Sequence, residues 1–482
     1  MSRVPFPSQA KPEAEIFSAM DAMRTGDADW KHAKTWSLVY HVSDEHTEFL
    51  KKAYGKFFTE NLLNPLAFKS LKKMETEVVQ MVADLLHAGP EAVGTINSGG
   101  TESLLLAAKS ARDRARKTRP WIRNPEVLAV QTTHVALEKA CATLGIKFRS
   151  VGTRDDYRAD VDQLRRAVNR NTILIAASAP QYPQGVIDPI EEIAAIALDK
   201  NIPFHVDACI GGFFLPFMKD ADRRLPAWDF RVKGVTSISA DLHKFGYTAK
   251  GASALIYRDM SYLKHQFFVS ALWSGGFFGS PSMPGTRPGG AISAAWATLQ
   301  KFGRQGYEEM VQKTMEVAER FKKGIEAIPE LQVLGNPDMS LIAYATRDPS
   351  SINIYAIADQ LEKKGWLIDR QQSPACIHAT VTLNHAQAID AYMADLRQAV
   401  ETVKKNPQLA KEGQAGMYGL AAKIPVKGLV NMEILKVMEG LYSGKDKIEF
   451  SGNELEGSES SEKPPAPSGL GRLIQKFKGM IG

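Results

Sequence analysis

Between residues 126 and 258 the sequence alternates short, continuously apolar runs with longer amphipathic ones, and this alternation constrains the fold more than any other feature. VLAVQTT (127–133), TILIAASAP (172–180), PFHVDA (203–208), VTSISAD (235–241) and ASALIYR (252–258) read as strands. Between them, LEKACATLG (137–145) and IEEIAAIALDKN (190–201) repeat apolar residues at three and four, the spacing of one helix face. A strand with no polar side needs cover on both faces, and strands separated by helices are joined by crossovers. The pattern therefore predicts an α/β fold, a mainly parallel sheet with helices on both sides.

The 482 residues exceed one small core and predict two or three structural units. Residues 1–60 form an N-terminal segment: polar and irregular to residue 30, then helical in spacing from Tyr40 to about Phe58. Residues 61–315 form the large domain, which opens with a helical repeat through Leu71, Met74, Val78, Val82, Leu85 and Leu86. A long helical pattern, Ala291–Lys323, leads into a smaller α+β domain over 316–448 that contains LIAYAT, IYAIADQLEKKGW and ATVTLNH. Residues 449–468 are acidic and rich in Ser and Pro, so they are expected to be a disordered linker. Residues 469–482 place Leu470, Leu473, Ile474, Phe477 and Ile481 on one helical face, with Arg472, Lys476 and Lys478 elsewhere. Such a basic amphipathic tail can make peripheral contact with a membrane or dock on a partner; the ordinary alternative is a helix that folds back onto the protein or frays, since its glycines weaken any helix.

Composition excludes several classes. Apolar residues make up 44% and charged residues 24%, ordinary for a soluble globular chain. The formal charge of +6 is spread along the chain without a zinc-finger, helix-turn-helix or RRM signature, so no nucleic-acid partner is expected. Cys141, Cys209 and Cys376 are odd in number and lack ligand spacing, which predicts free thiols, a reducing compartment and no metal. The N-terminal MSRVPFPSQAKPEAEIF has no apolar secretory core, and no apolar run approaches the ~20 residues of a membrane span. A cytoplasmic location is expected.

Four weak elements share one chemical theme. Lys244 and His243 follow the strand ending at Asp241, at the carboxyl edge where open α/β sheets bind ligands. Burial there would lower the lysine pKa toward a useful nucleophile for carbonyls; the ordinary alternative is a surface lysine. Asp207 ends another strand and would suit a protonated pyridine nitrogen, although a helix N-cap is an equal reading. Gly99 and Gly100 precede Thr101, Glu102 and Ser103, a tight turn into a helix N-terminus that favours an anion. His134 also follows a strand and would stack on a planar ring, or simply cap a helix. In chain order these supply an anion cradle, a ring-stacking group, a carboxylate and a lysine, the set that pyridoxal 5′-phosphate (PLP) requires.

The segments NSGGTES, SAPQYPQGVIDP, HVDACIGGF, SADLHKFGY and TRPGG resemble the PLP-dependent aldehyde-lyase and group II decarboxylase superfamily, from about Tyr40 to about His385. Within it the chain is most similar to the sphingosine-1-phosphate lyases. The resemblance implies the PLP-dependent transferase fold (fold type I), with Lys244 as the Schiff base, Asp207 on the pyridinium nitrogen and His134 on the ring. Gly100, Thr101 and His243 would hold the cofactor phosphate, with Cys209 beside the cofactor. Gly279 and Ser280 of SGGFFGSP would complete the phosphate site from the neighbouring subunit, making a homodimer with shared active sites. Lys250 resembles the lyase residue that contacts the substrate phosphate, where decarboxylases usually carry an apolar side chain. Tyr40 matches a tyrosine that reaches from one subunit into the other's site.

One motif departs from the family. Its Asn-Pro-Leu-His-Pro becomes Asn61-Leu62-Leu63-Asn64-Pro65, so Asn61 matches while Asn64 replaces a phosphate-contacting histidine. Asparagine can donate a hydrogen bond but carries no charge. The membrane-spanning N-terminus of eukaryotic members has no counterpart here, as in a soluble bacterial type. The resemblance thus predicts a carbon–carbon lyase cleaving a phosphorylated long-chain β-hydroxy amine, a small phospholipid-like substrate, to a fatty aldehyde and phosphoethanolamine. A PLP-dependent amino-acid decarboxylase is the alternative, and a non-catalytic scaffold of the same fold a third reading.

Overall fold

A computed structural model describes residues 4–218, 225–416, 418 and 427–443. Its main sheet contains β1 (Val93–Asn97), β2 (Glu126–Val130), β3 (Lys147–Val151), β4 (Thr172–Ser178), β5 (Phe204–Asp207), β6 (Val235–Ala240) and β7 (Ser253–Tyr257). They lie in the order β1-β7-β6-β5-β4-β2-β3. The four pairings from β3 to β6 are parallel, and β7 runs against both β6 and β1. Six strands therefore point one way and bring their carboxyl ends to one edge. Every residue of β2, β4, β5, β6 and β7 is buried, as their unbroken apolar runs require. The crossover helices Gly100–Thr118, Ala136–Leu144, Val161–Ala167 and Ile190–Asp199 cover the faces. This is the mainly parallel sheet that the alternation predicts, in the PLP-dependent transferase architecture that the resemblance implies.

Two short strands, β8 (Phe268–Ser270) and β9 (Phe278–Ser280), form a separate hairpin. The helix Gly289–Glu326 then joins the two cores, interrupted at Gly303, whose φ of 54° and ψ of −174° leave helical space. Tyr307, Met310 and Val311 on it belong to the large core, whereas Val317, Ala318, Phe321 and Ile325 belong to a second one. That second core backs an antiparallel sheet in the order β10 (Leu331–Val333), β11 (Leu341–Thr346), β13 (Ala375–Thr380), β12 (Asp369–Gln372). Its helices are Ile354–Glu362 and Ile389–Lys405.

The N-terminal segment differs from the irregular arm expected of it. Glu13–Met23 is a helix with no buried residue. Ala33 and Trp36 are buried in the small domain, where Trp36 stacks on His385 at 4.4 Å and 8°. Thr35 bridges to Leu367, so the chain crosses the small domain before reaching Tyr40 beside the large one. The linker and the amphipathic tail lie outside the described residues. Among the described residues no helix is long and apolar enough to cross a membrane, and no cluster of side chains could hold a metal ion.

Candidate active site

The carboxyl edge of the main sheet encloses a cavity of about 430 Å³, within the size range of small-molecule sites. Each contributing strand delivers side chains to it: β1 through the Ser98–Glu102 turn, β2 through His134, and β4 through Ser178, Pro180 and Tyr182. From β5 come Asp207 and Cys209, and from β6 come Asp241, His243 and Lys244.

Lys244 sits in the turn after β6, with its Nζ 2.9 Å from Asp241 Oδ2. Burial presses its pKa downward, but the Asp241 carboxylate overcomes this and holds the amine above the ordinary lysine value. The expected nucleophilic depression is therefore corrected: a buried counter-ion reverses the desolvation effect. Burial pushes the Asp241 carboxyl up, yet Lys244 and His243 hold it below the usual carboxylate range.

Asp207 closes β5 and is buried, its Oδ1 accepting from the Cys209 backbone N–H at 3.0 Å and from the Ser239 hydroxyl at 3.4 Å. Ser239 also meets the Cys209 thiol at 3.2 Å and His205 Nε2 at 3.2 Å, while His205 Nδ1 bonds Ser237. Burial pushes His205 down to about 4, so the network beneath Asp207 is neutral. Burial, with Asp207 and Asp241 nearby, drives the Cys209 thiol well above its ordinary pKa and makes it an inert wall.

The turn into the helix Gly100–Thr118 owes its shape to Gly100. A Cβ there would lie 2.8 Å from Cys209 Sγ and 2.9 Å from Asp241 Oδ2, so only glycine lets the helix start this close to the strand ends. Glu102 reaches back to the Ser98 backbone N–H at 2.7 Å and its hydroxyl at 2.6 Å, fixing the turn before the helix. The N–H groups of Gly100 and Thr101, in the first turn, have no earlier helical carbonyl to bond. His243 Nδ1 accepts from the Ala252 N–H at 3.2 Å, which places the proton of the neutral ring on Nε2. His134 Nδ1 likewise accepts from the Ala136 N–H at 3.2 Å, so this residue is tied to the start of the next helix and lines the cavity at once.

Lys250 Nζ donates to the carbonyls of Leu38 at 2.9 Å and His243 at 3.4 Å, and lies 5.2 Å from the Tyr40 ring centroid. Burial, reinforced by Lys244, lowers its pKa. Tyr40 meets Phe245 edge to face at 5.1 Å, and burial pushes its phenol up to about 12. Within one chain Tyr40 lies close enough to Lys244 and Asp241 to feel their charges, although it is not among the residues that line the cavity. The Thr35–Leu367 bridge and the Lys250–Leu38 bond pin its segment in place.

Other expected residues lie apart. Asn61 and Asn64 each turn Oδ1 to a backbone N–H two residues on, those of Leu63 and Leu66, both at 3.0 Å. These Asx turns occupy the side chains, and neither residue lines the cavity. Gly279 and Ser280 lie on β9, also outside it. Among the ionisable lining groups, sequence reasoning missed two. Asp241 reads in the sequence only as the end of a strand. Tyr182, inside the SAPQYPQGVIDP segment, lies 4.1 Å from the His378 ring and donates its phenol proton to Asp369 on β12.

The residues fit PLP: one cavity is lined by a lysine amine, a strand-end carboxylate and a helix N-terminus kept open by Gly100. Comparison with known proteins agrees. The pyridoxal-dependent decarboxylase conserved domain matches residues 7–347. Sphingosine-1-phosphate lyase 1 of Rattus norvegicus is 40% identical over 456 residues, covering 94% of this chain and 79% of that protein. The Arabidopsis thaliana sphingosine-1-phosphate lyase is 40% identical over 436 residues, 89% and 79% of the two chains. The solved sphingosine-1-phosphate lyase of Burkholderia pseudomallei superposes with a TM-score of 0.80 at 36% identity, covering 85% of this chain and 95% of that one. A Lactobacillus brevis glutamate decarboxylase, at TM-score 0.74 and 22% identity over 84% and 96% of the chains, shares the fold. The chain belongs to the PLP-dependent decarboxylase family and, within it, to the sphingosine-1-phosphate lyases.

Proposed function

We propose that this enzyme cleaves the Cα–Cβ bond of a phosphorylated long-chain β-hydroxy amine such as sphingosine-1-phosphate, releasing a fatty aldehyde and phosphoethanolamine. The observation that carries the reading is Lys250. It is a cation near the cofactor lysine, its hydrogen bonds go to neutral carbonyls, and no carboxylate forms an ion pair with it among the described residues. A positive charge left without a counter-ion in a partly desolvated site favours an anionic ligand group, and phosphate suits it. The names of the relatives point to the same substrate class.

In this reading Lys244 binds the cofactor aldehyde and Asp207 keeps the pyridine nitrogen protonated. His134 covers the ring, while Gly100, Thr101 and His243 hold the phosphate and Cys209 closes the wall. Once bound, PLP supplies a conjugated electron sink for the pair released when the bond breaks. Tyr40 and Lys250 orient the phosphorylated end of the substrate, Tyr40 reaching from one subunit into the other's site. The unit is a homodimer in which Gly279 and Ser280 reach the partner's phosphate site, with Asn61 and Asn64 on the substrate route. Its support is the hairpin itself, which leaves Val269, Leu272 and Phe277 bare to solvent. A cytoplasmic enzyme touching lipid surfaces through residues 470–482 fits the basic amphipathic pattern of that tail.

The test offers the purified holoenzyme sphingosine-1-phosphate and, separately, amino acids. Equimolar long-chain aldehyde and phosphoethanolamine support the proposal. Carbon dioxide from an amino acid, with no aldehyde from the phosphorylated substrate, refutes it.

A further inference from the structure

We infer that Asp241 is a positioning residue for Lys244: its carboxylate parks the amine as an ammonium ion, and must take up one of its protons before the nitrogen can attack the cofactor aldehyde. The inference rests on Lys244 as the cofactor lysine, not on which substrate is cleaved. Its basis is geometric. Nζ and Oδ2 are 2.9 Å apart, and the Asp241 side chain is 1% exposed. Its other oxygen, Oδ1, is buried without a hydrogen bond. Gly100 closes over both oxygens, since a Cβ there would come within 2.9 and 3.1 Å of them. Lys244 is therefore the principal partner of a carboxylate that water does not reach.

The surrounding groups leave this pairing dominant. His243 Nε2 stands 3.6 Å from the same oxygen, and Ser253 faces the carboxylate from β7. Asp207 and Cys209 approach from β5, and Tyr40 from the N-terminal segment. Burial keeps Tyr40 and Cys209 protonated. Lys250 adds a second positive charge, which opposes an ammonium at Lys244. Without the Asp241 charge, burial and Lys250 would both favour the free amine.

The step balances. One N–H bond of the ammonium breaks as an O–H bond forms on Asp241, and the ion pair becomes a neutral amine beside a carboxylic acid. The nitrogen lone pair then forms the bond to the aldehyde carbon. Asp241 returns its proton to the former carbonyl oxygen, which leaves as water with a second N–H proton. The third proton stays on nitrogen and Asp241 ends ionised.

The test uses the full-length protein stripped of cofactor. PLP is re-added and growth of the imine absorbance is followed from about pH 6.5 to about pH 10. Wild-type capture should still be rising at the top of this range, and Asp241→Asn should capture PLP at least about tenfold faster near neutral pH. Asp241→Glu should keep the wild-type profile. Superimposable profiles for wild type and Asp241→Asn, or a Glu variant that behaves like Asn, overturn the inference. Removing a negative charge would also ease phosphate entry, so a second readout omits phosphate. Wild-type protein is labelled with a small neutral acylating reagent and the Lys244 peptide is quantified by mass spectrometry. Its labelling rate should still be rising near pH 10, because an unperturbed lysine titrates at ~10.4 and this one is held higher. A plateau below about pH 9 overturns the inference even where Asp241→Asn does not fold. Neither readout needs turnover, so a failed lyase assay leaves it intact.

Discussion

The phenol of Tyr182 donates its proton to the carboxylate of Asp369, tying the loop after β4 to the edge strand β12 of the small domain. His378 Nδ1 lies 3.5 Å from the same carboxylate, and its ring packs on that of Tyr182. Burial raises the Asp369 carboxyl, but the nearby His378 and the Tyr182 hydrogen bond win and hold it below the ordinary range. The small domain thereby positions a cavity-lining side chain.

Replacing Asp369 by Asn should therefore loosen Tyr182 without emptying the site. Loss of a hydrogen bond to a charged acceptor is worth ~1.5–3 kcal/mol, so kcat/KM should fall about 10- to 100-fold. The imine absorbance should not change. Steady-state kinetics beside an absorption spectrum check this, and an unaltered kcat/KM would show that Tyr182 needs no anchor.

Gly100→Ala should weaken cofactor retention. The new methyl would meet Cys209 Sγ and Asp241 Oδ2 at under 3 Å, neither of which is the free end of a long side chain. Overpacking of this kind costs ~1–3 kcal/mol, or about 5- to 150-fold in the PLP dissociation constant. Equilibrium dialysis against PLP measures it.

Lys250→Met should raise KM for the phosphorylated substrate by about tenfold or more, since a charge-assisted contact is worth ~1.5–3 kcal/mol. A substrate analogue without the phosphate should be turned over equally by both proteins. Equal losses on both substrates would remove Lys250 from phosphate recognition.

Stability should fall on mild acidification. Burial pushes both His205 and His385 down to about 4 in the folded chain. An unfolded histidine titrates near ~6.5, so between about pH 6.5 and pH 4 the unfolded chain binds more protons and folding weakens as pH falls. Each tenfold loss of proton affinity on folding is worth ~1.4 kcal/mol, so each group contributes about 3 kcal/mol across that window. Melting temperatures recorded from about pH 8 to pH 4 should hold level above ~6.5 and then drop. His385→Asn should flatten part of the drop.

The parallel sheet was legible because its central strands are buried on both faces, so their apolar runs have no competing reading. That sheet in turn explains why residues far apart in sequence meet. His134, Asp207, His243 and Lys244 each follow a strand, and parallel strands end at one edge. Polar edges were harder to read. β3, Lys147–Val151, carries Lys147 and Arg149 because it has only one neighbour, and its pattern resembles a loop. Helix Glu13–Met23 buries nothing, so no core imposes a readable stripe. The Tyr182–Asp369 bond spans 187 positions, and the Asp241–Lys244 pair depends on a turn that no periodicity describes. Motif resemblance marks Tyr40 as a site residue, but the contacts at Thr35 and Leu38 that hold its segment leave no local pattern in the sequence.

The central claim is that Lys244 carries the cofactor in this cavity, and borohydride reduction tests it most directly. Reduction fixes PLP to the amine that holds it, and peptide mass spectrometry then locates the pyridoxyl group. The account predicts the label on Lys244, with none retained by Lys244→Ala. A label on Lys250 or on any other lysine would contradict it.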